Sequence, residues 1–186
     1  GMFFRANYSF MDKYLFEVSG RYDGTSKFPT NEQWGFFPSA SLGWMVTEES
    51  FMSGTRDWID LLKVRASTGS LGNGLVSPYS FVSTMNIQKS SVLIDGLQQS
   101  YTQAPNLIPS GLTWERVITN NIGIDLEMLQ NRLSMTFDYY HRYTKDMYTA
   151  GPPLPEVLGS ATPRGNNADL KTKGWEMSIE WMNERE

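Results

Sequence analysis

The 186-residue chain contains no cysteine and only one histidine, His141. Without cysteine there is no disulfide framework and no thiolate metal site, although the compartment stays open. Long apolar runs are missing too. No stretch approaches the roughly 20 consecutive apolar residues of a membrane-crossing helix, and the opening GMFFRANYSF lacks a basic segment followed by an apolar run, so neither a helical anchor nor a signal peptide is expected. Gly1 ahead of Met2 reads as a residue left by cloning. Nor does one sign of charge dominate: 16 basic and 20 acidic residues, net −4, are scattered along the chain. There is no basic stripe to follow a phosphate backbone, so nucleic acid is not an expected partner.

Aromatic residues are abundant, at 13 % of the chain, alongside 16 glycines and 9 prolines. Large flat side chains suit a pleated, half-buried surface, and Gly and Pro punctuate it. The dominant pattern has a period of two. Phe4, Ala6, Tyr8 and Phe10 alternate with Arg5, Asn7 and Ser9; Tyr14, Phe16, Val18, Gly20 and Tyr22 alternate with Leu15, Glu17, Ser19, Arg21 and Asp23. The same holds for Phe36, Pro38, Ala40, Leu42 and Trp44, for Leu62, Val64 and Ala66, and for Ile118, Ile122, Ile124, Leu126 and Met128, broken only at Asn120. Leu133, Met135, Phe137 and Tyr139, then Trp175, Met177, Ile179 and Trp181, complete seven such segments. Two weaker ones, near Tyr79–Ile87 and Val92–Tyr101, suggest a hairpin. The fold class expected is all-β, an antiparallel meander of about seven to nine strands.

Connection lengths alternate. Met11–Lys13 and Leu129–Asn131 are tight, whereas Gly24–Trp34, Leu71–Leu112 and Lys145–Thr172 are long. With antiparallel neighbours, every long connection falls at one end of the sheet, the habit of outer-membrane barrels. Met45–Asp60 falls at the tight end, and Thr47 within it is a candidate cap for a short helical turn. Tyr14, Tyr22, Trp44, Trp175 and Trp181 lie at or near strand ends, where rings sit between hydrocarbon and water. The opposite faces carry Glu17, Arg21, Lys63, Arg65, Asp125, Glu127, Asp138 and Arg142. These suit a hydrated lumen or, equally, the solvated face of a soluble β-sandwich. Alternation alone does not decide between the two.

Five blocks stand in a particular order: DKYLFEVSGRYDGTSKF, WGFFPSASLGWMVTEESFM, LLKVRASTGSLGNG, LTWERVITNNIGIDLEMLQNRLSMTFDYYHRYTKDMY and NADLKTKGWEMSIEW. In that order they resemble consecutive barrel blocks of the SusC/RagA-type TonB-dependent outer-membrane transporters, across nearly the whole chain but a minor part of a full family member. The resemblance implies one partial transmembrane β-barrel segment over residues 1–186, with RYDGTSKF rising to the cell surface and FPSASLGW returning towards the periplasm. It further implies a bacterial outer-membrane location, import of an oligosaccharide or peptide, a SusD-like surface lipoprotein and the TonB complex as partners, and outer-membrane lipid around the wall. Nothing here matches the family's plug domain or TonB box, and the final WMNERE precedes the last barrel strands the family would have. Two open sheet edges are therefore expected, and transport by this chain alone is not.

Candidate catalytic residues stand alone in the sequence. His141 has no recognisable partners as a base or ligand and reads as an interface or strand-end residue. Glu48 with Glu49, and Asp125 with Glu127, supply the paired carboxylates of a glycosidase, but at a spacing too common to support one. The first pair reads as the start of a short helix, the second as a shared strand face. STGSLGNG lacks the GK[ST] ending of a phosphate loop, and Asn7 in NYS falls inside a strand. Phe28, Trp34, Tyr79, Phe81, Tyr101 and Trp114 in the long loops could stack on sugar rings, or pack the loops. No catalytic, cofactor or metal role is assigned, no cofactor is expected, and the ligand-contacting residues remain open. The reading is a non-enzymatic barrel segment; the alternative is a soluble β-sheet module that binds carbohydrate.

Overall fold

The computed structural model describes residues 1–103, 105, 107–109, 111–155, 157 and 162–183. Among the described residues nine strands follow one another: β1 (Met2–Phe10), β2 (Tyr14–Gly24), β3 (Trp34–Met45), β4 (Ile59–Asn73), β5 (Ile87–Ile94), β6 (Leu97–Thr102), β7 (Glu115–Met128), β8 (Leu133–Ala150) and β9 (Arg164–Trp181). Seven form one sheet in the order β1-β2-β3-β4-β7-β8-β9, every pairing antiparallel. β5 and β6 form a separate hairpin. The meander of seven to nine strands is thus present, and β1 and β9 are its two edges.

Register shows how the alternating residues are used. One row crosses the whole sheet through Tyr8, Phe16, Leu42, Ala66, Ile122, Tyr139 and Trp175, each the cross-strand partner of the next. The neighbouring row on the opposite face runs Asn7, Glu17, Ser41, Ser67, Asn121, Tyr140 and Gly174. In a soluble protein the first row would be hidden. Here it is open: Tyr8 is 63 % exposed, Leu42 57 %, Ile122 59 % and Trp175 66 %. Glu17, Ser41 and Asn121 on the polar row are half-buried instead. Among the described residues no second layer covers the apolar face, so the sheet is inverted relative to a sandwich, as a wall between lipid and water must be. Along β7 the apolar band from Ile118 to Met128 measures about 33 Å at ~3.3 Å per residue, or about 25 Å across a bilayer at the usual tilt.

Both tight turns are left-handed. Met11 and Asp12 have φ of 53° and 54°, and Leu129, Gln130 and Asn131 have φ of 60°, 60° and 61°. Two consecutive positive φ values match the right-handed twist of flanking strands. At the opposite end the strands outrun their apolar pattern. β8 continues to Ala150 and β9 begins at Arg164, so most of the expected Lys145–Thr172 loop is paired strand, with an irregularity between Thr144 and Tyr148 where Asp146 takes φ 56°. The hairpin is real but shifted. Its first arm is Ile87–Ile94 rather than Tyr79–Ile87, and it turns at Asp95-Gly96 with φ 52° and 77°. Part of the long connections and the last three residues of WMNERE lie outside the described residues.

The compact apolar core belongs to the loops. Phe28 and Leu112 are fully buried and Val76 nearly so, with Phe81, Trp114 and Tyr148 packed around them. Three separate connections thus meet above the sheet.

Candidate functional site

The inner face is organised around Arg65 on β4. Its Nε donates to Asp125 Oδ2 at 3.0 Å and Oδ1 at 3.2 Å, and its Nη2 reaches past β7 to Asp138 Oδ2 on β8 at 2.7 Å. That reach depends on Gly123. Arg65, Gly123 and Asp138 stand in one cross-strand row, and a Cβ on Gly123 would lie 2.5 Å from Asp138 Oδ1 and 2.7 Å from Arg65 Cζ. The middle strand therefore leaves a gap that the guanidinium fills. Asn121 Nδ2 donates to the other Asp138 oxygen at 2.8 Å. Three strands are tied by one side chain, and Glu17, Lys63 and Asn121 stand on the same inner face.

At the tight end, Glu49 collects three donors: Tyr14 Oη at 2.8 Å, Trp44 Nε1 at 3.1 Å and Lys13 Nζ at 3.1 Å. Hydrogen bonding from Tyr14 above all, then from Trp44 and Lys13, holds its carboxyl below the ordinary carboxylate range against the opposing effect of burial. Tyr14 and Trp44 are cross-strand partners on the apolar face, so Glu49 anchors the polar tips of two belt aromatics. This corrects the helix-start expectation. Glu49 lies between two 3₁₀ turns, Val46–Glu48 and Ser50–Thr55, and only Glu48 belongs to a first turn, where it pairs with Arg56 at 3.2 Å. Thr47 is not the cap. It sits inside the first turn, 4 % exposed, and its Oγ1 accepts from the Leu62 backbone N–H at 3.5 Å, while Met45 occupies the cap position without a side-chain bond.

His141 is not at a strand end. It lies inside β8 on the outward column, across from Asn120 and Lys173, with a buried Nε2 that has no partner among the described residues. Asp125 and Glu127 share the inner strand face, and Asp125 is engaged by Arg65. Among the described residues no three His, Asp or Glu side chains gather as a metal site would require. The loop aromatics divide. Phe28, Phe81 and Trp114 pack the loop core, with Trp114 5.2 Å from Phe28 and 5.4 Å from Phe37, ring centre to ring centre. Trp34 stacks on Tyr22 at 4.9 Å. Tyr79, 72 % exposed, and Tyr101, 47 % exposed, stay open to solvent. Sequence reasoning missed Gly123 as the passage for Arg65 and Phe37 as a buried side chain over Gly72; the arginine between two acidic strands was the available signal.

An unclosed antiparallel sheet with an exposed apolar outer face, a charged inner face and its long connections at one end is a section of a transmembrane β-barrel wall. The comparisons place it. Residues 1–183 match the model of the family described as "TonB dependent receptor-like, beta-barrel", and the chain belongs to that family. It is 34 % identical over 179 residues to TonB-dependent receptor P39 of Formosa agariphila, covering 96 % of this chain and 16 % of that protein. It is 31 % identical over 180 residues to TonB-dependent receptor SusC of Bacteroides thetaiotaomicron, covering 95 % of this chain and 18 % of SusC. The chain thus spans less than a fifth of the curated relatives it matches. In fold it is similar to the RagAB peptide importer in its closed-closed state, with a TM-score of 0.84 over 99 % of this chain and 20 % of that one, at 23 % identity. The SusC/RagA-type barrel resemblance is therefore correct, and the open apolar face removes the soluble sandwich.

Proposed function

We propose that this chain is a section of the wall of a nutrient importer in the bacterial outer membrane, built on the SusC/RagA pattern, and that it performs no covalent chemistry. The observation that supports this reading is the inverted sheet, with Tyr8, Phe16, Leu42, Ile122, Tyr139 and Trp175 open on one face and Glu17, Arg65, Asp125 and Asp138 clustered on the other. The full-length protein would take up an oligosaccharide or a peptide, draw energy from the TonB complex and work with a SusD-like surface lipoprotein. Relatives that carry the names TonB-dependent receptor and SusC, and a structural neighbour described as a peptide importer, support that assignment. Residues 1–186 would contribute wall, lumen lining and external loops, with the plug and the remaining strands supplied by other parts of the full-length protein. Tyr79 and Tyr101 are the loop aromatics left free to meet a substrate.

The absence of cysteine in this segment makes the test direct. In the full-length protein, single cysteines at Ile122 and at Asn121 should separate in bilayers. The second should react readily with a charged maleimide, and the first, whose thiol stays protonated in hydrocarbon, should resist it until the protein is unfolded. Equal reaction of both positions with the charged reagent would end the wall reading.

A further inference from the structure

Strand pairing between β7 and β8 stops at Arg116 and Lys145, yet the chain beyond that point stays joined. Here β8 carries its irregularity, with Asp146 at φ 56°. The side chain of Asn166 on β9, the cross-strand partner of Tyr148, reaches past β8 to the segment that leads into β7. Its Oδ1 accepts from the Thr113 backbone N–H at 3.0 Å, and its Nδ2 donates to the Thr113 carbonyl at 3.0 Å and to the Asp146 carbonyl. A side-chain amide carries the same donor and acceptor as a peptide group, so these bonds hold Thr113 as a neighbouring strand would. Thr113 extends the link, because its Oγ1 donates at 2.8 Å to Glu32 Oε2 in the connection between β2 and β3. On either side of it, Leu112 enters the core with Phe28 and Val76, and Trp114 packs on Phe28.

Residues 112–114 are therefore a hub for three connections: 25–33 through Phe28 and Glu32, 74–82 through Val76, and the far end of the β8–β9 hairpin through Asp146, Tyr148 and Asn166. Among the described residues the two largest fully buried side chains, Phe28 and Leu112, both belong to this shared core, so none of the connections is packed by itself. Long connections of this kind are otherwise the least stable parts of a fold, and contacts shared between segments are lost together when one segment leaves. The apolar contacts alone would let the segments slide. The paired amide supplies direction, since it fixes the Thr113 backbone against β9 and the Asp146 carbonyl at once. We propose that Asn166 is a clasp that makes these three connections one cooperative unit, so that they leave the end of the sheet together and not one at a time. At the mouth of an importer, whatever displaces one connection would then displace all three. Only that last consequence rests on the proposed wall reading.

The test is hydrogen exchange of the full-length protein in detergent. Asn166→Ala removes the bonds to Thr113 and Asp146, each contributing roughly a factor of two to twelve. It should speed exchange at least about tenfold in 25–33, 74–82 and 146–150 alike, while 118–128 on β7 keeps the parent rate. Thr113→Val removes only the hydroxyl bond to Glu32 and should speed the same three stretches by a smaller common factor. Faster exchange at 146–150 alone in the first variant, or at 25–33 alone in the second, overturns the clasp. Should Asn166→Ala fail to fold, the unaltered protein still decides. In rising urea its three stretches should converge on one exchange profile below global unfolding, and separate profiles overturn the cooperative unit. Failure of the wall reading shows elsewhere, in the thiols placed at Ile122 and Asn121, and connections that open together would leave the clasp standing.

Discussion

Replacing Arg65 with methionine keeps most of the aliphatic stem but removes the guanidinium that bonds both Asp125 and Asp138. Arg65 is 30 % exposed in its side chain, Asp125 24 % and Asp138 18 %. The pairs lie between exposed ones, each contributing roughly 0.2–1 kcal/mol, and buried charge-assisted bonds, each about 1.5–3 kcal/mol. About 1 kcal/mol for each carboxylate, discounted for water in the lumen, gives a loss of about 2 kcal/mol. Gly123→Ala attacks the same contact from the middle strand. The atoms its Cβ would meet are the flexible ends of Asp138 and Arg65, so the backbone should hold while the guanidinium is pushed off Asp138. That loss of about 1 kcal/mol is partly offset by the reduced freedom of the unfolded chain, about 0.4–1 kcal/mol for Gly→Ala. The two substitutions should therefore not add, because both break the Arg65–Asp138 pair; a coupling of about 1 kcal/mol is expected. Urea unfolding of the full-length protein in micelles, followed by tryptophan fluorescence and repeated at high salt, measures all four forms. Strict additivity, or an Arg65→Met variant as stable as the parent at low salt, would refute the three-strand tie.

Three further outcomes are expected. Ile122→Arg on the outer face should lower barrel stability by about 2–4 kcal/mol near the bilayer midplane, while Ser67→Arg, on the adjacent inner row, should change it by less than about 1 kcal/mol, as read by folding into vesicles. Because the Glu49 carboxyl is held below its ordinary value of 4.5, its contribution is full above that value and lost as pH falls through the lowered one; protection of the Met45–Asp60 linker against hydrogen exchange should weaken on acidification below pH ~4 and be insensitive to pH there in Glu49→Gln. Leu112→Ala, which empties part of the loop core, should cost about 2–4 kcal/mol locally and speed proteolysis within the long connections without altering cleavage of the strands.

The alternating segments were legible because a half-buried face imposes a period of two wherever it exists. Tyr14–Tyr22 and Leu133–Tyr139 announce both strand and face without a partner in view. Beyond the belt the same strands become polar on both sides, and nothing in Thr144–Ala150 or Arg164–Thr172 separates a paired strand from a loop; pairing there is set by the neighbour's ladder. Asp95-Gly96 was the readable signal for the hairpin turn, since both positions take positive φ. The inner-face network joins Arg65 to residues 60 and 73 positions away, and only a register brings such residues into one row. Glu49 escaped for a similar reason. Its donors come from a strand 35 residues earlier and from the end of the adjoining strand, and a local reading assigns the charge to a helix end instead.

The edges decide what this sheet can be in a membrane. β1 is exposed along its whole length, and so is β9 from Trp175 to Trp181. Each edge strand pairs on one side only, which leaves about half of its N–H and C=O groups open. In water such groups bind solvent. In hydrocarbon each unmatched group costs several kcal/mol, so even four per edge exceed the whole stability of an ordinary domain, roughly 5–15 kcal/mol. The apolar row that makes the sheet suitable for lipid is therefore usable only when both edges are matched, and seven strands are about a third of the wall of an outer-membrane transporter of ~22 strands. Edge matching and face burial are thus a single requirement. The same residues that exclude a soluble sandwich demand neighbouring strands on either side, and chemical crosslinking in the full-length protein should find β1 and β9 each joined to a strand outside residues 1–186, with a β1–β9 crosslink within one chain being the result that breaks this reasoning.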